Sequence, residues 1–581
     1  MLGLLPPGLI LIVGALLLPL VPRAARGWAF LVPPALALWH LSGLAEGDRA
    51  TWAFATYELV PLHVDALALV FAWIFALMTL LTGVYALHVK DTGQQVSAML
   101  YAGSGLGAVF AGDLFTLVFF WEVMAVTAAY LIWARHTEDS YAAAFRYLMV
   151  HIAGGALLIG GAVWHISETG SIAFTAFEGG PAAWLILGGF AVNAAVVPLH
   201  AWIADAYPRG TVTGSVFLSA YTTKTAVYTL TRGFPGWEIL LWAGGLMAIF
   251  GVVYAIFVND IRRVLAYHIV SQVGFMVAGV GVGTAMAIDG VASHAYNNIL
   301  YKGLLFMATG AVLHATGRSR MTELGGLIRG LPGVFWIYMV AALSISSAPF
   351  LAGFVSKPLT IAAIEYAELP ALVLLLHLAS VGTFLSVGLK LPYFTWFGDA
   401  PREPVELRPI PWNMYVAMVI GAGLNILLGV WPELLLGILP AGGSGFEPYE
   451  VKNLKKALQL LLFTAAVFFV IVAYLKPKPK IQLDTDWFYR RAAPLAWRWT
   501  VVPVEAVFRW VDDASWKLAS HAARLGIDPV ERLIALKGER PASNFAPGQT
   551  ASTTFRVSTT TMMVFLFIAV LAAFAAFFLS G

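Results

Sequence analysis

The sequence is dominated by long apolar runs that contain no charged residue, for example residues 66–86 and 560–579. Each is close to the roughly 20 residues that a helix needs to cross the hydrocarbon core of a bilayer. Charged residues make up 12% of the 581 residues, about half of the roughly 25% that is usual in soluble domains. Because a helix satisfies its own backbone hydrogen bonds in lipid, the sequence predicts an all-α polytopic membrane protein.

Hydropathy and length together predict about sixteen membrane spans. The first run, 2–21, has no basic residues before it, so we interpret it as a span and not as a cleaved signal peptide. Residues 46–64 are short and polar and contain Trp and Tyr, which predicts an interfacial loop. The predicted spans are 2–21, 27–45, 65–88, 95–112, 113–134, 141–166, 182–206, 212–232, 236–257, 263–284, 290–315, 333–365, 370–395, 411–431, 455–476 and 560–580.

The distribution of lysine and arginine among the loops predicts the orientation of the chain. Loops after odd-numbered spans carry most of these residues, for example Arg262, Arg263 and Arg318. Short basic loops stay on the cytoplasmic side of a membrane. We therefore predict a location in the cell inner (plasma) membrane, with the N-terminus on the outer side.

Two of the predicted spans are interrupted. The first contains Pro198 in the stretch AVVPLHAW, and the second contains Pro349 and Gly353 in the stretch SSAPFLAGFVSK. Proline lacks the backbone donor of a helix, so nearby carbonyls need other partners inside the membrane. A simple proline kink is one interpretation of each. Two breaks about 150 residues apart, each with a polar residue close by, favour repeated halves with discontinuous helices.

Ionisable residues within the spans are the candidate functional residues, because a charge at the bilayer centre costs roughly 2.5–3.5 kcal/mol even on insertion scales. The primary candidates are Glu122, Lys224, Lys302 and Lys357. Burial favours the neutral form of a lysine and a nearby carboxylate favours the charged form, so such lysines can hold or release a proton. The residues therefore predict a pathway for protons or monovalent cations.

Several of these residues also have a structural interpretation. Glu122 is alternatively a carboxyl group that is hydrogen-bonded inside the bundle, and Lys390 lies nearer a helix end, where a lysine can snorkel to the interface. His294 lies two helical turns before Lys302 on the same face, which favours a functional role. The remaining apolar-face histidines are interpreted mostly as core residues: His151, His165, His268 and His377.

Other chemistries find no support in the sequence. With 0 Cys, disulfides and thiolate-bound iron–sulfur or zinc sites are excluded. No Walker, dinucleotide-binding or zincin motif is present. The net charge of +3 is too small to indicate nucleic acid. We therefore expect no cofactor, no metal and no nucleic-acid partner.

The C-terminal part of the chain differs from the spans. It begins with the basic cluster Lys-Pro-Lys-Pro-Lys at 476–480. Between 504 and 525, apolar residues recur at helical spacing and polar residues such as Glu505 and Arg509 occupy the other positions. This pattern predicts an amphipathic lateral helix on the membrane surface or along partner proteins. A loose linker, 540–556, then leads to a C-terminal anchor helix.

Four motifs together resemble the antiporter-like subunits of respiratory complex I and of Mrp-type multisubunit Na+/H+ antiporters. The resemblance covers roughly residues 65–430 and is closest to the D-type subunit of Mrp antiporters, whereas the lateral helix resembles that of the distal antiporter-like subunit of complex I. The motifs are FFWEVMAV around Glu122, VPLHAWIADAYPRGTVTGSVFLSAYTTKTAVYTLTR around Lys224, NDIRRVLAYHIVSQVGFM before Lys302, and APFLAGFVSK ending at Lys357.

The resemblance implies about 14 core transmembrane helices in two inverted repeats, with helices 7 and 12 broken. It implies a hydrated polar axis along the membrane centre, with Glu122 and Lys224 as the modulating pair and central relay. Lys302 would continue this axis and Lys357 would be its exit-side terminal lysine. The partners implied are other membrane subunits, H+ and, as the alternative ion, Na+. The secondary axis positions are Lys390, His294, Asn193 and Asn298.

The chain departs from the family pattern at two of these positions. Asn193 stands where the family usually has a lysine, seven residues before the histidine of PLHAW, and Asn298 stands where a histidine is common. Asparagine cannot carry a proton as a charge. The alternative prediction is therefore a structural or coupling role in the complex without ion translocation. A free-standing transporter of another solute is a third interpretation.

The leading prediction is a proton- or Na+/H+-translocating subunit of a multisubunit membrane complex. Such a complex can be similar to an NADH:quinone oxidoreductase or a hydrogenase, but this chain itself shows no cofactor site. The sequence leaves open the ion, the driving reaction and any involvement of quinone. The predicted regions are N-terminal transmembrane helices 1–94, a first repeat 95–232, a second repeat 233–395, helices 14 and 15 at 396–476, the lateral segment and linker 477–559, and the anchor helix 560–581.

Overall fold

The computed structural model describes residues 4–399, 406–478 and 483–527. Contacts divide the chain into one unit of residues Met1–Asp486 and a second of Trp487–Gly581. The linker at 540–556 and the anchor helix at 560–581, both predicted from the sequence, lie outside the described residues.

Helices form nearly all of the first unit. Among its described residues the one sheet is an antiparallel hairpin of β1 (Arg49–Phe54) and β2 (Tyr57–His63), within the segment predicted as an interfacial loop. The helices are α1 Pro7–Leu17, α2 Arg26–Ala29, α3 Val32–Leu41, α4 Ala66–Tyr85, α5 Thr92–Phe110, α6 Leu114–Trp133, α7 Glu138–Thr169, α8 Pro181–Asn193, α9 Ala201–Ala206, α10 Gly214–Ala220, α11 Thr222–Gly233, α12 Glu238–Phe257, α13 Ile261–Val282, α14 Ala285–Thr316, α15 Pro332–Ile345, α16 Ala352–Tyr366, α17 Pro370–Thr383, α18 Trp412–Val430, α19 Glu433–Leu436 and α20 Val451–Ile471. After α17 the chain continues as π-helical turns over Phe384–Lys390 and Tyr393–Phe397.

The length and composition of these helices agree with a membrane protein. Within the described ranges, nine helices are long and apolar enough to cross a bilayer. Three shorter apolar helices are Pro7–Leu20, Pro181–Asn193 and Pro332–Ile345. The most apolar window of α13 is 100% buried and that of α14 is 89% buried, whereas that of α20 is 11% buried. Helices α13 and α14 therefore lie at the centre of the first unit, and α20 lies at its edge.

Acidic and hydroxyl side chains mark the starts of the long helices. The Asp113 carboxylate accepts a hydrogen bond from the backbone N–H of Thr116 at 2.8 Å and caps α6. Asp65, Asp91 and Asp260 cap α4, α5 and α13 in the same way. Such caps satisfy the first backbone N–H groups, which have no partner within the helix.

The helix pair α6–α7 and the helix pair α13–α14 have corresponding features at equally spaced positions in the sequence. Asp113 forms an isolated antiparallel bridge with Ala173, and Asp260 forms the equivalent bridge with Arg320. The helices α7 and α14 both have 32 residues, and each ends at a glycine in the left-handed region. The number of residues between corresponding positions is the same for both residues of each bridge and for the first and last residues of the two helices. Two stretches of the chain therefore follow the same local plan.

Close approach between α12 and α13 depends on glycine. A Cβ atom at Gly274 would lie 2.5 Å from the backbone nitrogen of Ala248, and one at Gly244 would lie 2.3 Å from that of Ala278. Neither backbone can move without moving its helix. Small residues at such contacts let two membrane helices pack backbone to backbone.

The second unit contains the predicted amphipathic helix. Helix α21 covers Asp486–Ala496 and leads through a π-helical turn into α22, Val502–Ile527. Glu505 and Arg509 lie one turn apart on α22, with 3.9 Å between Arg509 Nη2 and Glu505 Oε2. The helical pattern predicted over 504–525 is therefore present.

We expect Gly274→Ala to lower the melting temperature of the detergent-solubilised protein. Overpacking of this kind costs about 1–3 kcal/mol. The matched control is Gly160→Ala on α7, where a Cβ atom meets nothing within 4 Å. The control should leave the melting temperature unchanged or raise it slightly, because alanine is the better helix former. Equal effects of the two substitutions would contradict the proposed packing.

Candidate ion pathway in the membrane

The first predicted interruption lies between α8, which ends at Asn193, and α9, which begins at Ala201. The break leaves carbonyl groups at the end of α8 without their usual helical donors. The indole of Trp202 donates a hydrogen bond to the carbonyl of Val192 at 2.9 Å. The same carbonyl accepts the backbone N–H of Ala195 at 3.1 Å, so backbone and side-chain donors together replace the usual helical donors here.

The second predicted interruption lies between α15, which ends at Ile345, and α16, which begins at Ala352. Lys357 Nζ donates to the Ile345 carbonyl at 2.7 Å, and Asn297 Nδ2 donates to the Ala352 carbonyl at 2.7 Å. Side chains thus bond two carbonyls beside the break. The structure contains both interruptions predicted from the sequence, and one of the candidate lysines is bonded directly to the second.

All four candidate lysines are buried, with exposed fractions of 0% for Lys224 and Lys302, 2% for Lys357 and 4% for Lys390. Each Nζ donates to a backbone carbonyl, and none of the four has a carboxylate within 4.0 Å among the described residues. The Lys390 amino group is bonded to the carbonyl of Ile256, at the C-terminal end of α12. The acceptors are the carbonyls of Ser219 at 2.9 Å, Leu265 at 3.0 Å, Ile345 at 2.7 Å, and Ile256.

His294 connects α14 to the second break. Its Nδ1 atom lies 3.4 Å from the hydroxyl of Ser356, which immediately precedes Lys357. The Phe275 ring is close to both Lys357 and His294: its centroid lies 5.2 Å from Lys357 Nζ and 5.9 Å from the centroid of the His294 imidazole. The predicted secondary position is thus brought to the predicted terminal lysine.

Asn298 lies one turn before Lys302 and begins a second polar connection. Its Nδ2 atom donates to the Tyr301 hydroxyl at 3.0 Å, and that hydroxyl donates to Gln272 Oε1 at 3.5 Å. Gln272 Nε2 in turn donates to the Thr383 hydroxyl at 3.4 Å. Hydrogen-bonding side chains therefore extend from the face of α14 that carries Lys302 through α13 to α17.

Glu122 and Asn193, two of the candidates in the predicted first repeat (95–232, here the first half), have no charged partner among the described residues. The Glu122 carboxylate lies against Gly155 of α7, so closely that a Cβ atom there would be 1.9 Å from Glu122 Oε1. Glu122 forms no ion pair with Lys224 or with any other described residue. Asn193 is 0% exposed, and within the described residues neither of its amide atoms has a hydrogen-bond partner.

Hydroxyl groups that the sequence did not single out connect the helices of the first half. The Thr222 hydroxyl lies 2.6 Å from that of Tyr101 and 3.3 Å from that of Tyr147. The His151 ring stacks on Tyr147 with 3.9 Å between centroids. Tyr147 and His151 are four residues apart on α7, and this spacing is the sequence pattern that indicates their contact. Because both side chains can be neutral and lie in a long apolar run, the sequence alone does not identify them as functional.

A small cavity opens beside Lys357. Its volume of about 60 Å³ is sufficient for a few water molecules, since each needs roughly 10–15 Å³ of such volume. The polar residues that line it include Lys357, Ser346, Ser347, Ser380 and Asn453.

Glu365, His377 and Lys456 also line this cavity and belong to a charged cluster. Lys456 Nζ lies 2.6 Å from Glu365 Oε1, and Lys452 Nζ lies 3.7 Å from Oε2. His377 Nε2 lies 4.0 Å from Glu365 Oε1. The basic residues of α20 thus reach the end of α16, a long-range contact that the sequence did not predict.

Residues 111–386 match the family model described as NADH:quinone oxidoreductase/Mrp antiporter, TM. The D-type subunit of the Na+/H+ antiporter of Alkalihalophilus pseudofirmus is 28% identical over 347 residues, which are 56% of this chain and 70% of that protein. The chain is therefore a multi-pass membrane protein related to the antiporter-like subunits, as the motifs predicted.

Two solved structures share the fold. A chain of the Mrp complex from Dietzia sp. DQ12-45-1b superposes with a TM-score of 0.68 at 22% identity, covering 79% of this chain and 99% of that one. A chain of the membrane-bound sulfane sulfur reductase, an archaeal respiratory membrane complex, superposes with a TM-score of 0.69 at 23% identity, covering 98% and 99%.

We expect Asn297→Ala to destabilise the protein, because it removes a buried hydrogen bond that joins α14 to the first residue of α16. A hydrogen bond of this kind contributes about 0.5–1.5 kcal/mol. The matched control is Asn453→Ala, since Asn453 Nδ2 makes the same kind of bond to the Glu447 carbonyl at 3.1 Å in an exposed position. Thermal unfolding in detergent should show a clear loss for the first variant only. Similar losses for both would show that the bond at the break has no special role.

Proposed function

We propose that this chain translocates protons, or exchanges Na+ for H+, as one subunit of a multisubunit complex in the cell inner membrane. Its N-terminus lies on the outer side in this proposal, and its partners are other membrane subunits of a complex I-like or Mrp-like assembly. The proposal agrees with the names of the relatives, which include a Na+/H+ antiporter subunit.

The observation that carries the proposal is the set of buried lysines without carboxylate partners. An isolated ammonium ion in a dry interior is costly, so such groups are rare unless the protein uses them. Lys224, Lys302 and Lys357 each bond a carbonyl at distances of 2.7–3.0 Å. A lysine in this position can change its proton occupancy without breaking an ion pair. We propose that these three lysines carry the ion along the membrane centre, with Lys390 as a secondary position.

The equal sequence spacing between corresponding features of α6–α7 and α13–α14 supports two repeated halves. We propose that these halves are inverted relative to one another. The same offset that relates Asp113 to Asp260 relates Gly155 to Lys302. In the first half the Glu122 carboxylate reaches from α6 to the surface of Gly155. We propose that Glu122 supplies in the first half the ionisable group that Lys302 supplies in the second.

The cavity beside Lys357 supports a role for this lysine at the end of the pathway. Water molecules in a polar cavity of about 60 Å³ can pass protons between Lys357 and the surface cluster of Glu365. We propose that ions leave or enter the second half here.

We expect Lys224→Ala and Glu122→Gln each to reduce ion flux while the complex still assembles. A positioned proton carrier typically contributes on the order of 100-fold or more. Flux would be measured with a pH-sensitive dye in membrane vesicles that contain the intact complex. Lys90→Ala is the matched control, because Lys90 is exposed.

Normal flux in both variants would refute the proposed axis. A purified, active monomer without companion membrane proteins would refute the assignment to a multisubunit complex. A complex that assembles but carries no flux in any variant, the wild type included, would support the structural or coupling role instead.

We expect Asn193→Lys to raise flux above that of the wild type. The new ammonium group would enter the fully buried position of Asn193 in the half that holds Glu122, and would add the charge that the family usually has there. Asn193→Met is the matched control, because methionine is similarly long and flexible but uncharged. Equal flux in both variants would show that charge at this position does not limit transport.

A further inference from the structure

A short segment after α20 lies on the first helix break. The Thr485 hydroxyl donates to the Pro198 carbonyl at 3.0 Å, which gives one more carbonyl of the break a partner. The preceding residue, Asp484, places Oδ1 3.1 Å from His200 Nε2. We call residues Leu483–Thr485 the strap.

The strap also bonds the helices of the second half. The Tyr267 hydroxyl of α13 donates to Asp484 Oδ2 at 2.5 Å. The Tyr254 hydroxyl of α12 donates to the Leu483 carbonyl at 3.1 Å. Four polar contacts therefore connect three consecutive residues to the break on one side and to α12 and α13 on the other.

The central pair of the strap is removed from solvent. The Asp484 side chain is 1% exposed and that of His200 is 0% exposed. The second ring nitrogen, His200 Nδ1, is buried and has no hydrogen-bond partner in the part of the chain that the structure describes. A buried carboxylate beside a buried imidazole is costly unless the two groups share a proton or a charge.

The surroundings of Asp484 favour its charged form. Burial raises the pKa of the Asp484 carboxyl. The opposite effect of His200, the Tyr267 hydroxyl and the backbone N–H of Thr485 is larger in sum, so the pKa lies below its usual value. The other charged or titratable groups nearby are Arg263, Tyr254 and Asp486. The carboxylate thus keeps its charge down to a lower pH than an exposed aspartate.

We propose that Asp484 is a positioning residue for ion translocation, which holds His200 at the first break in the arrangement that passes protons. This inference rests on the proposed function. The first half has no lysine at Asn193, and one of its carboxylates, Glu122, has no charged partner among the described residues, while Asp205 on α9 is paired with arginines. The strap therefore brings the carboxylate that lies beside His200 from a distant part of the chain. Because α21 begins directly after the strap, a force on the C-terminal segment would act on the break through covalent bonds.

The test measures ion flux in vesicles that contain the intact complex. We expect Asp484→Asn to reduce flux at least tenfold and Asp484→Glu to restore part of it. Asp512→Asn on α22, which removes an exposed carboxylate, should have no effect. The double variant with His200→Gln should lose no more flux than the more impaired single variant, because residues that act as a pair are not additive.

The pH profile separates this role from simple structural support. In the wild type, flux should fall as acid protonates Asp484, since a carboxyl with a lowered pKa makes its contribution above that pKa and loses it as the pH falls through it. Asp484→Asn should be low throughout and lack this acid limb. An unchanged flux and profile in Asp484→Asn would overturn the inference. If Lys224→Ala abolishes flux at the same time, the proposed function stands and only the strap fails.

A second measurement does not depend on transport. Difference infrared spectroscopy of wild type against Asp484→Asn gives the titration of this one carboxyl group. Its midpoint should lie below that of an ordinary aspartate and should rise in His200→Gln. A midpoint that His200→Gln does not move would overturn the pairing, even if the complex carries no flux under any condition.

Discussion

The structure depends on one constraint, which is that backbone carbonyls inside a membrane cannot rely on bulk water. At both breaks, side chains donate hydrogen bonds to backbone carbonyls. Asn297 bonds the Ala352 carbonyl and Trp202 bonds that of Val192. At the second break the donor is Lys357 itself. The group that we propose to move protons is therefore also bonded directly to the second break.

Much of the fold could be predicted because its determinants are local. Apolar runs determine the helices, prolines mark the breaks, and charged residues within the runs identify Glu122 and the lysines. The acceptors of those lysines could not be predicted, because the partners are backbone carbonyls that carry no sequence signature. Lys302, for example, bonds the carbonyl of Leu265, which lies on another helix. The pairing of Asp484 with His200 spans almost half of the chain and depends on how the fold returns to the break.

The two stretches that share a local plan, α6–α7 in the first half and α13–α14 in the second, use different chemistry. In the second half, amide, hydroxyl and imidazole groups connect the surroundings of Lys302 and Lys357 to neighbouring helices. In the first half, the corresponding part of α7 carries Tyr147, His151 and Gly155, and the ionisable carboxylate beside it comes from α6. Lys302 thus lies on the long helix α14 itself, whereas beside the corresponding Gly155 of α7 the ionisable group comes from α6.

The lack of a lysine at position 193 explains why the strap matters for the proposed function. A lysine at position 193 would give the first break a charge of its own, independent of the rest of the chain. With Asn193 there instead, the charged contact described at that break joins His200 to a residue that follows the last helix of the first unit. The same carboxylate accepts a hydrogen bond from Tyr267 on α13, one of the two central helices. One carboxylate of the strap therefore contacts both the first break and the central helix α13, which a lysine at position 193 would not do by itself.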